Sequence, residues 1–364
     1  NRCLPGTCTH LALARSWTWR SVSPRGQGIM RPSLLEVRNL SVRYALPRPL
    51  SDVLRGRPRR YVDAVIDASL ILDVGQTLAV VGESGSGKSS LGRALVGLEP
   101  IAGGSILFAG RDPFVRRSGG DRAFHREAAM IFQDPISSLS PRRTVLQLVA
   151  EPFAIHGLKL RDTRAEVERL LGLVGLPKVL ADRYPHQLSG GQARRVGIAR
   201  AIALEPKLIV ADEPTAGLDV SVQAEVLNLL RSLQRRFGMA YILITHNISL
   251  IRHVADRIAV MYMGRMVEQG CTAELLAEPM HPYSQGLIAA QPFPDPDKRR
   301  TEVPVLGEAP SLLNRPSGCE FRTRCPRVLP RCAGEAPPQF FLGNGRFSRC
   351  WLSEKGTKSC VVNG

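Results

Sequence analysis

The sequence of 364 residues predicts an α/β fold, because three short apolar runs each end in a polar or glycine-rich segment. The runs occupy residues 78–81, 208–211 and 241–244, and their apolar composition is typical of buried strands. A stretch with helical spacing of apolar residues, 89–98, follows the first run. Because open α/β sheets bind ligands at the carboxyl ends of their strands, the segments after these runs form the candidate site.

The first run leads into residues 82–89, Gly-Glu-Ser-Gly-Ser-Gly-Lys-Ser, which fit the phosphate-binding pattern G-x-x-x-x-G-K-[ST]. We call this segment the phosphate-binding loop. Its glycines let the backbone wrap closely around phosphates, Lys88 would neutralise the β- and γ-phosphates, and the Ser89 hydroxyl would bind Mg²⁺. A chance glycine turn is the alternative, but a chain of this composition gives on the order of 0.01 accidental matches. We therefore predict a nucleoside triphosphate site.

The second run ends in two carboxylates, Asp212 and Glu213. Asp212 suits Mg²⁺, bound directly or through water, and Glu213 suits polarisation of an attacking water. Two solvated acids before a proline turn are the structural alternative. The phosphate-binding loop upstream favours the catalytic interpretation.

Residues 188–192 read Leu-Ser-Gly-Gly-Gln and precede a predicted helix at about residues 193–203. A small hydroxyl and two bare backbone N–H groups at a helix start make an anion site. The chain already has a complete anion site for its own nucleotide, so this incomplete one suggests contact with the nucleotide of a partner. Ser189 is also expected to cap the helix, and the two roles are compatible.

Together these elements, in this order, make residues 34–270 resemble the nucleotide-binding domain of ATP-binding cassette (ABC) transporters. Within that resemblance, residues 82–89 match the Walker A motif and residues 208–213 match Walker B. Gln133 matches the Q-loop, residues 188–192 match the family signature, and residues 217–219 match the D-loop. His246 matches the switch histidine. The sequence differs from the usual family motifs at two positions. Gly217 stands where the family commonly has alanine, and Asn247 stands where it often has aspartate.

The resemblance implies a P-loop NTPase fold with a RecA-like core, a helical subdomain at about residues 135–200 and an antiparallel β subdomain. It implies Glu213, His246 and Gln133 as catalytic residues, with Mg²⁺ held by Ser89, Gln133 and Asp212. The residues implied to bind ATP are Tyr44, which would stack on adenine, Gly82, Glu83, Ser84, Gly85, Ser86, Gly87, Lys88, Ser89, Ser90 and Asp212. Leu188, Ser189, Gly190, Gly191 and Gln192 would contact the partner's ATP, and Asp219 is the D-loop acid.

The segment after residue 275 is rich in proline and turn residues and contains His281-Pro282-Tyr283. We call residues 276–364 the C-terminal extension and residues 34–275 the ATP-binding domain. This extension resembles that of oligopeptide and dipeptide permease ATPases, more closely the second of their two ATPase subunits. The resemblance implies an ATPase that energises peptide import from the cytoplasmic face of the cell membrane. Its implied partners are a second ABC ATPase in a heterodimer, two membrane permease subunits and an extracytoplasmic solute-binding protein.

Three alternatives remain open at this stage. The cargo could be nickel or another small solute, because closely similar ATPases serve such importers. A soluble ABC ATPase acting on ribosomes or nucleic acid is a different class, supported only by the net charge of +17 and the basic run at residues 55–60. The run lacks interleaved aromatic residues, so we expect no nucleic-acid partner. A regulator that does not hydrolyse ATP is the third class.

Four of the eight cysteines form the spacing C-x₅-C-x₆-C-x₁₇-C, namely Cys319, Cys325, Cys332 and Cys350. Disulfides are not expected in a reducing compartment, and four thiolates close in sequence suit tetrahedral Zn²⁺ or an iron–sulfur cluster. The family resemblance favours a structural [4Fe–4S] cluster. Zinc and free thiols are the alternatives.

Residues 1–20 do not resemble a signal peptide, because their apolar part is short, is broken by Pro5, Gly6 and His10, and is followed by Arg15 and Arg20. We interpret residues 1–33 as a disordered or non-native segment, with Met30 as a natural start. No stretch of the chain approaches the ~20 uninterrupted apolar residues that a membrane helix needs.

Overall fold

The computed structural model describes residues 33–56, 58–114, 121–290 and 307–356. The predictions on residues 1–32, including the start at Met30, therefore lie outside the described residues. So do Cys3, Cys8 and Cys360. Within the described residues, no helix combines the length and the apolar character needed to cross a membrane.

The strands of the described residues fall into two sheets. Three antiparallel strands make the smaller sheet: β1 (Ser33–Ala45), β2 (Tyr61–Asp73) and β4 (Gly103–Phe108), in the order β2-β1-β4. The larger sheet is built from β3 (Thr77–Val81), β5 (Ala128–Ile131), β6 (Leu208–Asp212), β7 (Ala240–Thr245), β8 (Arg257–Tyr262), β9 (Arg265–Cys271), β10 (Phe340–Gly343) and β11 (Arg346–Ser348). Its order is β10-β11-β9-β8-β3-β7-β6-β5.

The centre of the larger sheet is parallel, with β3 between β8 and β7 and with β6 between β7 and β5. Strands β3, β6 and β7 are buried along their whole length, which explains their continuous apolar sequences. All three runs that predicted strands are strands. Because these strands are parallel, their carboxyl ends meet at one edge of the sheet, where Val81, Asp212 and Thr245 are the last strand residues.

Side chains of β3 alternate between two hydrophobic cores. Leu78 and Val80 pack with the three-stranded sheet and the helix after the phosphate-binding loop, whereas Ala79 and Val81 pack with the helices on the other face. The sheet is therefore covered on both faces, as parallel sheets require.

The α-helices of the described residues are α1 (Leu50–Leu54), α2 (Lys88–Leu95), α3 (Arg122–Glu127), α4 (Val145–Ile155), α5 (Thr163–Leu173), α6 (Gly190–Ile202), α7 (Val220–Phe237), α8 (Ile248–Ile251), α9 (Thr272–Ala277) and α10 (Pro282–Ala289). Helices α4, α5 and α6 contact one another. The Thr144 side chain caps α4 in a capping box with Gln147, and Asp162 caps α5. Helix α5 buries Val167, Leu170 and Leu171, as its apolar spacing predicts.

The C-terminal extension continues the larger sheet. Strand β11 pairs antiparallel with β9, and β10 pairs with β11. Arg346 on β11 forms a buried ion pair with Glu268 on β9 at 3.2 Å, and the Glu268 carboxylate also accepts the backbone N–H groups of Met280 and His281. The predicted boundary after residue 275 lies inside α9. Part of the extension is regular sheet, because unpaired backbone groups at the β9 edge offer it hydrogen bonds.

Candidate active site

The phosphate-binding loop joins the end of β3 to the start of α2. Its first and last glycines have positive φ angles, +155° at Gly82 and +98° at Gly87. A Cβ atom on Gly87 would lie 2.1 Å from the carbonyl oxygen of Ala64, and one on Gly82 would lie 2.1 Å from that of Met261. Only glycine fits at these two positions, because both the backbone angle and the space exclude a side chain.

Lys88 lies at the N-terminus of α2 with only 5% of its surface exposed. Its Nζ donates hydrogen bonds to the carbonyl oxygens of Gly82 (2.8 Å) and Glu83 (2.6 Å) and to Oγ of Ser86 (3.3 Å). Burial lowers the pKa of Lys88, and the nearby charges of Glu213, Asp212 and Glu83 oppose this effect. These hydrogen bonds hold the ammonium inside the loop, in position to bind an anion.

Asp212 and Ser89 lie next to each other at the carboxyl edge of the sheet. The Ser89 hydroxyl donates to Oδ1 of Asp212 at 3.0 Å, and Asp212 is 2% exposed. Burial raises the pKa of Asp212, while the Ser89 hydrogen bond lowers it. A hydroxyl and a buried carboxylate oxygen side by side are ligand types that Mg²⁺ accepts.

Glu213 is the meeting point of three segments that follow β5, β6 and β7. Its Oε2 accepts a hydrogen bond from Nε2 of Gln133, and its Oε1 lies 3.0 Å from Nδ1 of His246. The Gln133 bond is also 3.0 Å long. Glu213 has a φ of +45°, which is costly for a residue with a side chain, and its N–H donates to the carbonyl of Ile244. This anchored, strained backbone directs the carboxylate toward the other two side chains.

The segment at residues 188–192 caps helix α6. Ser189 Oγ accepts the N–H of Gln192 at 3.3 Å, and the Gln192 side chain accepts the N–H of Ser189 at 3.0 Å, which is a capping box. Gly190 and Gly191 form the first turn of α6 without positive φ angles, and a Cβ atom on either would have no neighbour within 4 Å. Leu188 is half-buried against the helical core.

The other predicted residues are more peripheral. Tyr44 lies near the end of β1, half-buried, with Ser90 and Glu99 near its hydroxyl; burial raises its pKa. Ser84 and Gly85 are exposed at the tip of the phosphate-binding loop. Asp219 is exposed at the start of α7, and its side chain forms no capping hydrogen bond there.

Sequence reasoning missed Arg194, which lies in α6 just after the capping box. Arg194 is buried, and its Nη2 donates to the carbonyl oxygen of Ala216 at 2.8 Å. Burial lowers its pKa, and the charge of Asp134 opposes this effect. This side chain therefore connects α6 to the segment that carries Asp219. The sequence offered no signal, because a lone arginine after an N-cap is usually a solvated surface residue.

A second missed contact connects the C-terminal extension to the phosphate-binding loop. Arg324 forms a two-pronged ion pair with Glu83, at 2.8 and 3.0 Å. The Tyr283 hydroxyl also accepts the backbone N–H of Glu83, at 2.8 Å. Nothing in the spacing of these residues indicated that they would meet.

The four cysteines at 319, 325, 332 and 350 line one pocket of the extension, which we call the thiol pocket. All five cysteines that the structure describes, these four and Cys271, are free thiols. Burial raises the pKa of Cys319 to about 12 and that of Cys350 to about 11. In the described ranges, no three His, Cys, Asp or Glu side chains stand in an arrangement that would hold a metal ion. The iron–sulfur cluster therefore stays a prediction.

Two protein families match the chain. The ABC transporter family matches residues 65–216, and the family described as "Oligopeptide/dipeptide transporter, C-terminal region" matches residues 267–332. The second match covers the segment that carries His281, Tyr283, Arg324 and three of the four cysteines of the thiol pocket.

Individual proteins with similar sequences or structures support these family matches. A probable peptide ABC transporter ATP-binding protein of Sinorhizobium fredii is 48% identical over 79% of this chain and 82% of its own length. The oligopeptide transport ATP-binding protein OppF of Salmonella typhimurium is 44% identical over 84% of this chain and 92% of its own. Among solved structures, the dimeric ATP-binding cassette MJ0796, bound to ADP and phosphate, has a TM-score of 0.56 at 25% identity, covering 65% of this chain and 98% of that one.

These similarities confirm the predicted fold of an ABC ATPase and the family resemblance of the C-terminal region. The chain therefore belongs to the ABC transporter family, among the ATP-binding proteins of the oligopeptide and dipeptide permeases.

Proposed function

We propose that the chain is the ATP-hydrolysing subunit of an ABC importer and couples the conversion of ATP and water to ADP and phosphate to the uptake of di- and oligopeptides. The observation that carries this proposal is the contact of Glu213 with both Gln133 and His246 beside the Ser89–Asp212 pair. A metal-ligand pair and a candidate base with two polar partners lie at one edge of one sheet. ATP hydrolysis needs both.

The phosphate-binding loop would hold the triphosphate of ATP. Its backbone N–H groups and the buried Lys88 supply donors and positive charge for the β- and γ-phosphates. Ser89 and Asp212 would hold Mg²⁺, since their oxygen atoms are adjacent and of the right type. When bound, Mg²⁺ neutralises charge on the β- and γ-oxygens. Tyr44 would stack on the adenine.

Glu213 would act as the general base toward the attacking water. The Gln133 amide donates to one carboxylate oxygen, which leaves the amide oxygen free to orient water or metal. His246 holds the other oxygen and is largely exposed, so it is accessible to the γ-phosphate of a bound nucleotide. Each of the three side chains would then have a separate task.

Residues 188–192 would complete the ATP site of a partner chain. Gly190 and Gly191 have no positive φ angle and no close neighbour, so the fold of this chain does not require glycine there. Bare backbone at an exposed helix start would allow close approach of an external anion. We infer that two ATPase chains pair head to tail around two ATP molecules, with Asp219 at the same interface. The resemblance of the C-terminal extension favours a related but different ATPase as the partner.

ATP binding would close this pair and hydrolysis would reopen it, so that the coupled membrane subunits alternate between two access states. The segment after Gln133 would receive these subunits, because Ile136 within it and Phe132 directly before Gln133 are exposed apolar side chains. The relatives named above act in peptide or oligopeptide transport, which supports two permease subunits and an extracytoplasmic solute-binding protein as partners. The chain would then work at the cytoplasmic face of the membrane.

The thiol pocket would hold a structural [4Fe–4S] cluster, with Zn²⁺ as the alternative. Four thiols that line one pocket are of the donor type that either metal takes, and either would stabilise a segment with little core of its own. In the described residues these thiols do not stand in a metal-binding arrangement, so binding would require them to move closer together. Protein purified without oxygen should contain about four iron atoms per chain and absorb broadly in the visible range. Zinc in place of iron, or neither metal, would contradict the cluster.

Purification from detergent-solubilised membranes tests the transport function. The chain should be recovered with two polytopic membrane proteins and a second ATPase, and peptide uptake into vesicles that contain the complex should require ATP. Recovery with RNA that is lost after nuclease treatment would instead support an ATPase acting on nucleic acid.

A further inference from the structure

The phosphate-binding loop contains one carboxylate, that of Glu83, directly after its first glycine. The loop has to accept a polyanion, and a carboxylate beside the phosphates would repel it. Glu83 is close enough for its charge to act on the Lys88 ammonium. The loop therefore needs a way to neutralise Glu83 or to hold its carboxylate away from the phosphates.

Arg324 in the C-terminal extension satisfies this need. Its Nη1 and Nη2 contact Oε2 and Oε1 of Glu83, a geometry in which the planar guanidinium covers both carboxylate oxygens. The Arg324 side chain is 7% exposed and that of Glu83 is 30% exposed, so solvent screens the pair only in part. The two residues are 241 positions apart.

The Arg324 guanidinium is itself held in place. Nη2 donates a further hydrogen bond to the carbonyl of Gly307 at 3.0 Å, and the guanidinium carbon lies 5.9 Å from the ring centre of Tyr262. A positive charge over an aromatic face is favourable. Because these contacts fix its orientation, Arg324 loses little freedom when it pairs with Glu83.

The backbone of Glu83 is also held, by Tyr283. The Tyr283 hydroxyl accepts the Glu83 N–H, and the Tyr283 ring is fully buried against Tyr262 and Phe321, with ring centres 4.7 and 5.4 Å away. Side chain and backbone of one loop residue therefore both depend on the segment that follows the core of the ATPase.

We propose that Arg324 is a positioning residue for ATP binding: it neutralises Glu83 and holds that carboxylate against the C-terminal extension, away from the phosphates. The proposal rests on the ATP-binding role of the phosphate-binding loop. Under this proposal the C-terminal extension contributes directly to the nucleotide site. Removal of Arg324 alone would leave an uncompensated negative charge in the loop.

The test is a charge-compensation cycle read as the dissociation constant for Mg²⁺–ATP, measured by equilibrium titration on the full chain. Arg324→Ala should weaken ATP binding by on the order of ten-fold, because a half-screened charge then faces the phosphates. Adding Glu83→Gln to that variant should restore affinity to within about two-fold of the unaltered chain. Arg324→Lys keeps the positive charge but loses the two-pronged geometry, so its affinity should lie between those of Arg324→Ala and the unaltered chain. This variant provides a folded protein if Arg324→Ala is unstable.

Arg349→Ala is the matched control. Arg349 also connects the extension to the ATP-binding domain, through an ion pair with Asp67 on β2 at 2.6 Å, but it touches no residue of the loop. The Arg349→Ala variant should bind ATP with the affinity of the unaltered chain. Equal losses in Arg349→Ala and Arg324→Ala would overturn the proposal, because they would indicate general docking of the extension.

Two other results would also overturn it: unchanged ATP affinity in Arg324→Ala, or an affinity loss that Glu83→Gln does not reverse. Failure of the unaltered chain to bind ATP is a distinct result, since it would contradict the proposed function itself.

Discussion

The Ser89 hydroxyl donates a 3.0 Å hydrogen bond to Oδ1 of Asp212, a residue 123 positions later in the chain. Ser89 lies in the first turn of α2, the helix after β3, and Asp212 ends β6; β7 lies between the two strands. The pair exists because both segments leave the carboxyl edge of one parallel sheet. The sheet thus places two oxygen ligands side by side without any local sequence signal that joins them.

Ser89→Ala should raise the Mg²⁺ concentration for half-maximal ATP hydrolysis by about ten-fold, because the site loses one of its two adjacent protein oxygens. The measurement is a magnesium titration of phosphate release at saturating ATP. Ser232→Ala removes the same hydroxyl from the surface of α7, where it bonds only to the Leu229 carbonyl, and should leave the titration unchanged. An unchanged magnesium requirement in Ser89→Ala would remove Ser89 from the metal site.

Glu213→Gln should lower turnover by at least about a hundred-fold while ATP still binds, because the amide cannot accept the proton of the attacking water. The side chain keeps its shape, so contacts with Gln133 and His246 can re-form. Single-turnover hydrolysis and equilibrium ATP binding measure the two effects separately. Glu225→Gln changes an exposed acid that pairs with Arg195 and serves as control. Turnover at the normal rate in Glu213→Gln would refute the assignment of the base.

The sequence alone predicts those parts of the site whose structure is determined within one short segment. Strands β3, β6 and β7 were predictable because fully buried parallel strands must be continuously apolar. The phosphate-binding loop was predictable because Gly82 and Gly87 occupy positions that exclude any side chain. Ser189 was expected as an N-cap and forms a complete capping box with Gln192. In each case a short segment carries its own physical requirement.

Contacts between distant segments were not predictable. Three contacts join segments that no repeating pattern of apolar residues connects in the sequence. They are the Arg324–Glu83 ion pair, the hydrogen bond from Arg194 to Ala216, and the pairing of β11 with β9. The C-terminal extension is rich in proline and has little apolar alternation, so its two strands left no pattern. They form because the β9 edge offers unpaired backbone groups, which is a property of the folded sheet.

Gly191→Ala should separate folding from function. The new methyl group meets no atom within 4 Å, and alanine favours a helical backbone more than glycine does, so the free energy of unfolding should rise by about 0.5 kcal/mol. ATP hydrolysis should nevertheless fall several-fold, because the methyl group would face the partner's γ-phosphate. Thermal unfolding and steady-state ATPase assays of the assembled pair measure the two effects.

Gly172→Ala is the control for this experiment, since Gly172 lies inside α5 and also has open space around it. It should stabilise the chain to a similar extent and leave ATP hydrolysis unchanged. A Gly191→Ala variant that is stabilised and fully active would contradict a role for Gly191 at a partner's nucleotide.

His281 should make the stability of the chain depend on pH. The ring is 2% exposed, its Nδ1 accepts the N–H of Tyr283, and burial lowers its pKa from 6.5 to about 3. The unfolded chain therefore binds a proton below pH 6.5 that the folded chain does not bind until about pH 3. The stability from this residue is fully present above pH 6.5 and is lost as the pH falls toward 3.

Between pH 7.5 and 5.5, His281 should reduce the free energy of unfolding by about 1.4 kcal/mol. His281→Asn, which keeps an N-cap acceptor but cannot titrate, should lose that part of the pH dependence even if its stability at pH 7.5 is lower. Urea unfolding at the two pH values provides the measurement. His253→Asn, at an exposed position, should keep the full slope. An identical slope in His281→Asn and the unaltered chain would show that His281 can be protonated without opening the C-terminal extension.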